Sequence, residues 1–259
     1  QVARVDLICP GASDGRCDFA EDSGLQAGAA ALTTTPLGYE TWIDENDDGG
    51  YTSAIDTFLD CGLDRLCPQD PGYVGPDAGE ADGSFQALWL AGFDNSRPMA
   101  DVADDTWARA TVLIQGNTTL GVVALDTIGL FYNEVQAIRE RARTELGIDH
   151  VVLVSTHVHE TPDTMGQWGR SIAISGVNPA HMAWLHDRIH ESLRQAQAAA
   201  VPVTMRLGSY RIPDAAWQGS GVNNVNIDTR DPAITDDEVV TARFVDAAGA
   251  TVAAWVNYG

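Results

Sequence analysis

Two hydrophobic periods run along this chain, and the switches between them mark out its elements. Arg109–Gln115 and Thr119–Leu125 read as two strands of a hairpin turning at Gly116-Asn117. A helical stripe follows, with Val135, Ile138, Ala142 and Leu146 on one face. The spacing predicts a helix over Asn133–Leu146, with Asn133 as its cap, Glu134 at its positive end and Gly147 as its stop. Arg139, Arg141 and Arg143 form its solvated face. The run Val151-Val152-Leu153-Val154 then predicts a strand buried on both faces. Strand, helix, strand is a βαβ unit, so 119–125 and 151–156 should be parallel neighbours. That order puts Asp126 and His157 at one end of a sheet.

Simpler elements flank this unit. Ala27–Leu37 reads as a small-residue strand entering a turn at Pro36. Asn178-Pro179 opens a second helix running to about Ala200, with Met182, Leu185, Ile189 and Leu193 toward the core. Val203–Ile212 is a strand, and Val239–Val245 with Thr251–Val256 is a closing hairpin across Asp246–Gly249. Phe85–Phe93 is apolar and aromatic, and reads as core rather than pocket wall. The fold class is α/β: a mixed sheet with a βαβ unit and hairpins, helices packed on it, and an acidic loop-rich insertion over 39–83. Residues 1–26 form an N-terminal arm, and 27–259 the main domain. The chain stops at Asn257-Tyr258-Gly259, immediately after a strand, and reads as one piece of a larger unit.

Composition narrows the partners. Aspartate and glutamate number 37 against 15 basic residues, all of them Arg, for a net charge of −22. Such a surface repels nucleic acid and anionic bilayers. It fits a saline or calcium-rich setting, or simply a solvated acidic surface. No run is long and apolar enough for a transmembrane segment. Cys9, Cys17, Cys61 and Cys67 allow three pairings, of which the local one, Cys9 with Cys17 and Cys61 with Cys67, is the simplest. Disulfides imply an oxidising compartment, so the protein is read as secreted, periplasmic or extracellular in a processed form.

The candidate chemistry sits where the 151–154 run ends, in Ser155-Thr156-His157-Val158-His159-Glu160. In extended chain His157 and His159 would share a face, Cα atoms roughly 6.5 Å apart, and could converge on one metal ion. The alternative is two loop histidines with ordinary hydrogen bonds. Asp126 either orients a metal-bound ring from behind or caps the following helix. Met165–Val177, with Trp168 and Arg170, is a wall or lid beside such a site. Asp44-Glu45-Asn46-Asp47-Asp48-Gly49 matches the opening of a calcium loop, and Asp44, Asn46, Asp48 and Asp56 are its candidate ligands. The loop departs from an EF-hand, with Ile55 at position twelve, and an acidic surface turn is the other reading. His186 and His190 resemble a zincin helix but carry Asp187 where that motif needs Glu. Ser220 lacks the first glycine of a nucleophile elbow.

These residues resemble the neutral/alkaline ceramidase family. VVLVSTHVHETP over Val151–Pro162 is similar to its T-H-T-H-S-G-P region. AGAAALTTTPLGY, RATVLIQ with GVVALDTIGL, and the terminal WVNYG fit in order, over roughly Leu25–Gly259. The resemblance implies a zinc amidase acting on ceramide or a related amide or ester. It implies His157 as a zinc ligand and His159 beside the zinc, touching substrate. The other ligands, a His, a Glu and a Tyr, would lie beyond Gly259, in the remainder of the catalytic domain. The family's active-site arginine is missing from its place, where SGVNNVNIDTR stands, and Arg230 is a weak substitute. Glu160-Thr161-Pro162 also replaces Ser-Gly-Pro. Competing readings are a metal-dependent amidohydrolase of another family and a calcium-stabilised extracellular binding module without catalysis. A metallo-β-lactamase motif would need Asp where Thr161 stands.

Overall fold

The computed structural model describes residues 24–212 and 236–258. The Cys9–Cys17 pair, Arg230 and most of the loop before the last hairpin lie outside the described residues. Among the described residues ten strands form: β1 (Gln26–Thr33), β2 (Trp42–Ile43), β3 (Thr57–Phe58), β4 (Trp107–Gln115), β5 (Thr118–Leu125), β6 (His150–Ser155), β7 (Val201–Pro202), β8 (Thr204–Arg211), β9 (Glu238–Val245) and β10 (Thr251–Tyr258). Two helices accompany them, α1 (Tyr132–Arg141) and α2 (Pro179–Ala198). The main sheet has the order β6-β5-β4-β1-β7, and β10-β9-β8 form a second. The sheet is mixed, as the pattern predicts, and none of the described helices is long and apolar enough to cross a membrane.

The chain falls into two compact units, one drawing on segments up to Ala29, Thr111–Thr119 and from Ala196 onward, the other on Ala30–Ala110 and Leu120–Gln195. In the second unit β5 and β6 pair in parallel, from Leu120 opposite His150 to Leu125 opposite Ser155. This is the βαβ register, and it brings Asp126 and Thr156 to the same sheet end. Every second residue of β5 is buried, Val123 and Leu125 completely. β6 departs from expectation. Val151 is buried, but Val152 and Val154 remain 43% and 49% exposed. This alternation shows one covered face on β6, so its β-branched residues serve strand propensity more than burial.

The first helix also differs. Asn133 is not its cap: the cap position is Phe131, without a side-chain hydrogen bond, and Asn133 instead donates to the Glu134 carboxylate. After Arg141 the helix widens into one π-turn over Ala142–Leu146, ended by Gly147 at φ 68°. Arg139 is not purely solvated, since its Nε donates to the Val151 carbonyl at 2.9 Å and ties helix to strand. α2 follows its pattern closely. Asn178 caps it, its Oδ1 accepting from Ala180 N and His181 N. Leu185, Ile189 and Leu193 are buried, each contributing about 1.5–3 kcal/mol. Gly121 makes room for this face, because a Cβ there would lie 2.6 Å from Leu193 Cδ2.

The acidic insertion carries its own small core. β2 and β3 pair antiparallel, and Trp42, Tyr51, Phe58 and Phe85 pack ring on ring above them. Glu40, fully buried, accepts from Gly62 N and Gln86 N, and burial raises its carboxyl above the ordinary range. Cys61 and Cys67 are joined in a disulfide. Closing so short a loop constrains the unfolded chain by about 2 kcal/mol. The double variant C61A/C67A should lose about that much in urea unfolding.

The first unit contains the β8-β9-β10 sheet. Met205, Phe244 and Ala253 lie opposite one another and are all buried. Trp255 packs edge-on to Phe244, and its Nε1 donates to Thr111 Oγ1.

Candidate active site

The histidine segment does not run on as strand. β6 stops at Ser155, where Thr156 N donates to the Leu125 carbonyl and Thr156 Oγ1 to Asp126 Oδ1. His157 then takes φ 61°, left-handed backbone that costs a non-glycine residue of order 1–3 kcal/mol. Val158 N returns to the Thr127 carbonyl. Alternation along an extended strand is therefore not what pairs the histidines. The rings nevertheless meet, with centroids 5.0 Å apart at 71°. The left-handed residue turns them together.

His157 Nδ1 lies 2.8 Å from the Ile128 carbonyl oxygen. A carbonyl only accepts, so Nδ1 carries the proton and Nε2 keeps its lone pair free for a metal or a proton. This is the tautomer a zinc ligand needs, fixed by a backbone group behind it. The expectation that Asp126 does this orienting is corrected: Asp126 accepts instead from Trp107 N, Arg109 and Thr156. Its carboxylate braces the sheet end on which the segment stands. Glu160 pairs with Arg97 at 2.8 Å.

Among the described residues, the other nominated side chains are not gathered here. Trp168 donates its N–H to Asp163 Oδ2, and that carboxylate, fully buried, also takes Met165 N and Gly166 N through Oδ1. Asp163 is thus the organiser of the Met165–Val177 loop, and neither its charge nor its spacing advertised this in the sequence. In the proposed calcium loop, Asp44 accepts from Asp48 N and Gly49 N, and Asp56 from Glu45 N and Thr52 N. Asn46 donates to Asp48. Among the described residues no group of three His, Cys, Asp or Glu is placed to hold a metal ion. His186 and His190 face different acids, Glu134 at 3.0 Å and Glu145 at 3.1 Å, and share nothing.

Two cavities lie near the segment. One of about 420 Å³ is bounded by Phe131, Glu134, Thr164, Met165 and Met182. The other, about 530 Å³, is bounded by Asp126, Val158 and Glu160 with Asp101, Asp104 and Asp105. Neither histidine lines either one.

No protein-family model and no curated protein matches this sequence. Among solved structures, the chain is similar in fold to the neutral ceramidase from Pseudomonas aeruginosa, at 16% identity and a TM-score of 0.57 over 92% of this chain. A ceramidase complexed with C2 is similar at 17% identity, with a TM-score of 0.54, again over 92% of the chain. The chain spans about a third of each, 32% and 31%.

Proposed function

We propose that this chain carries the histidine-bearing part of a zinc-dependent amidase that cleaves a ceramide-like N-acyl lipid or a related amide or ester. The observation that carries this is the Ile128 carbonyl on His157 Nδ1, which frees Nε2 beside a second imidazole. The shared fold with two ceramidases supports the hydrolase class. Two imidazoles fit zinc as donors, His157 as ligand and His159 at its side toward substrate. Further ligands would come from outside the described residues. Bound zinc would polarise the scissile carbonyl and bring its water to a pKa of about 7. The chain's own part is to hold His157 in one tautomer and to keep the two rings in fixed relation. The Cys61–Cys67 disulfide supports secretion or export to an oxidising compartment.

The test is metal analysis with an N-acyl amide assay on the protein that contains this chain. Zinc near one per chain is expected, with hydrolysis lost on chelation, restored by zinc and absent in His157→Ala. Hydrolysis that survives His157→Ala would sink the reading. Calcium without zinc, and no hydrolysis, would favour the binding module.

A further inference from the structure

One turn outside the histidine segment is built around it. Gly92, Phe93 and Ser96 all have left-handed backbone, φ 82°, 55° and 65°. A bulky aromatic residue rarely accepts that conformation. Burial does not explain it, because Phe93 is 77% exposed. What the turn achieves is an approach to His159. The Phe93 ring meets the His159 ring at 5.0 Å and 67°, an edge-to-face pair. Gly92 lies directly against the same imidazole: a Cβ there would fall 2.4 Å from His159 Nδ1.

Arg97 closes the arrangement. Its guanidinium lies over the other partner, 5.1 Å from the Phe93 centroid. Nη1 donates to the Gly92 carbonyl at 3.2 Å, and Nη2 to both oxygens of Glu160 at 2.8 and 3.0 Å. Glu160 is the residue after His159. One side chain therefore ties the turn to the histidine segment and covers the ring that touches His159. Backbone bonds anchor both ends of the turn, Ala91 N to the Thr161 carbonyl and Ser96 N to the Gly169 carbonyl. The result is a continuous series: Glu160, Arg97, Phe93, His159, His157 and the Ile128 carbonyl.

We propose that Arg97, acting through Phe93, is a positioning residue for His159. It rests on the reading of His157 and His159 as the metal and substrate pair. Arg97 does not touch the reacting atoms. It fixes the ring that does, as a planar fork can and an ammonium cannot. No local pattern signals this role, since Arg97 lies 60 or more positions from either histidine in an ordinary-looking loop.

The test separates positioning from mere bracing. In histidine-labelled protein, NMR should show cross-peaks between Phe93 and His159 ring protons. Arg97→Ala should abolish them, with the melting temperature moving by no more than about 2 °C because the pair is partly exposed. Phe93→Leu should shift the His159 ring protons by removal of the ring current, and it keeps the test valid if Arg97→Ala misfolds. With zinc bound, both variants should lower kcat at least tenfold with KM within twofold, and Arg97→Lys should not rescue. Cross-peaks that persist in Arg97→Ala, or His159 shifts unmoved in Phe93→Leu, overturn the proposal. If the cross-peaks vanish as expected in a protein without amidase activity, the positioning stands and the hydrolase reading alone is rejected.

Discussion

Gly28→Ala should be among the most damaging single-methyl changes in the first unit, costing about 3 kcal/mol or more. Gly28 is buried in β1, and a Cβ there would stand 2.0 Å from the Ala196 carbonyl oxygen, 2.6 Å from Ala200 N and 2.8 Å from Ala199 C. All three are backbone atoms at the end of α2, so no side chain can rotate away. Either the strand or the helix end must move. β1 is paired there with β7, Ala27 opposite Val201, and β7 follows α2 within three residues. Movement would therefore break the ladder as well as the packing. At this chain length the cost corresponds to a fall in melting temperature of roughly 6–12 °C. Gly121→Ala is the control. Its new methyl would be crowded by Leu193 Cδ2 at 2.6 Å, the far end of a flexible side chain, while Ile148 Cγ2 and Val151 Cγ2 lie at ordinary contact distances of 3.6 and 3.7 Å. If Gly28→Ala melts within about 2 °C of the unaltered protein, the close approach of α2 to β1 is wrong.

What could be read from sequence was whatever depends on neighbours a few residues away. The β5–α1–β6 unit followed from periodicity, and its parallel register follows from chain connectivity. The capped second helix was equally legible, because Asn178-Pro179 and the stripe Met182, Leu185, Ile189 and Leu193 are local signals. The ends of α1 were not. Its start at Phe131 carries no side-chain cap and its end widens into a π-turn, and Arg139 reaches the Val151 carbonyl of the next strand, none of which a local pattern encodes. At the candidate site, the pair His157 and His159 was visible as a motif, but the left-handed turn that joins their rings was not. Nor were Asp163, Gly92, Phe93 and Arg97. Each acts through partners distant in sequence or through a backbone angle that its residue type does not announce.

The second large effect concerns pH. His181 stands in the first turn of α2, 8% exposed, and its Nδ1 has no hydrogen-bond partner among the described residues. Burial lowers its pKa to about 4 from 6.5. The positive end of the helix acts in the same direction, since it disfavours an imidazolium. The folded state thus holds His181 neutral while the unfolded chain takes up a proton below 6.5. The neutral form's advantage is complete above that value and is lost as pH falls toward 4. Linkage puts the loss at about 2 kcal/mol by pH 5 and about 3 kcal/mol by pH 4, relative to pH 7. Carboxylates titrate in the same window, so the comparison must be with His181→Leu, which keeps the bulk and removes the titration. Urea unfolding of both proteins at pH 7, 5 and 4 should show the gap changing in favour of the leucine variant by these amounts. A gap that stays constant across the three pH values would mean that His181 is solvated or paired in the folded protein, and that the first turn of α2 opens to water.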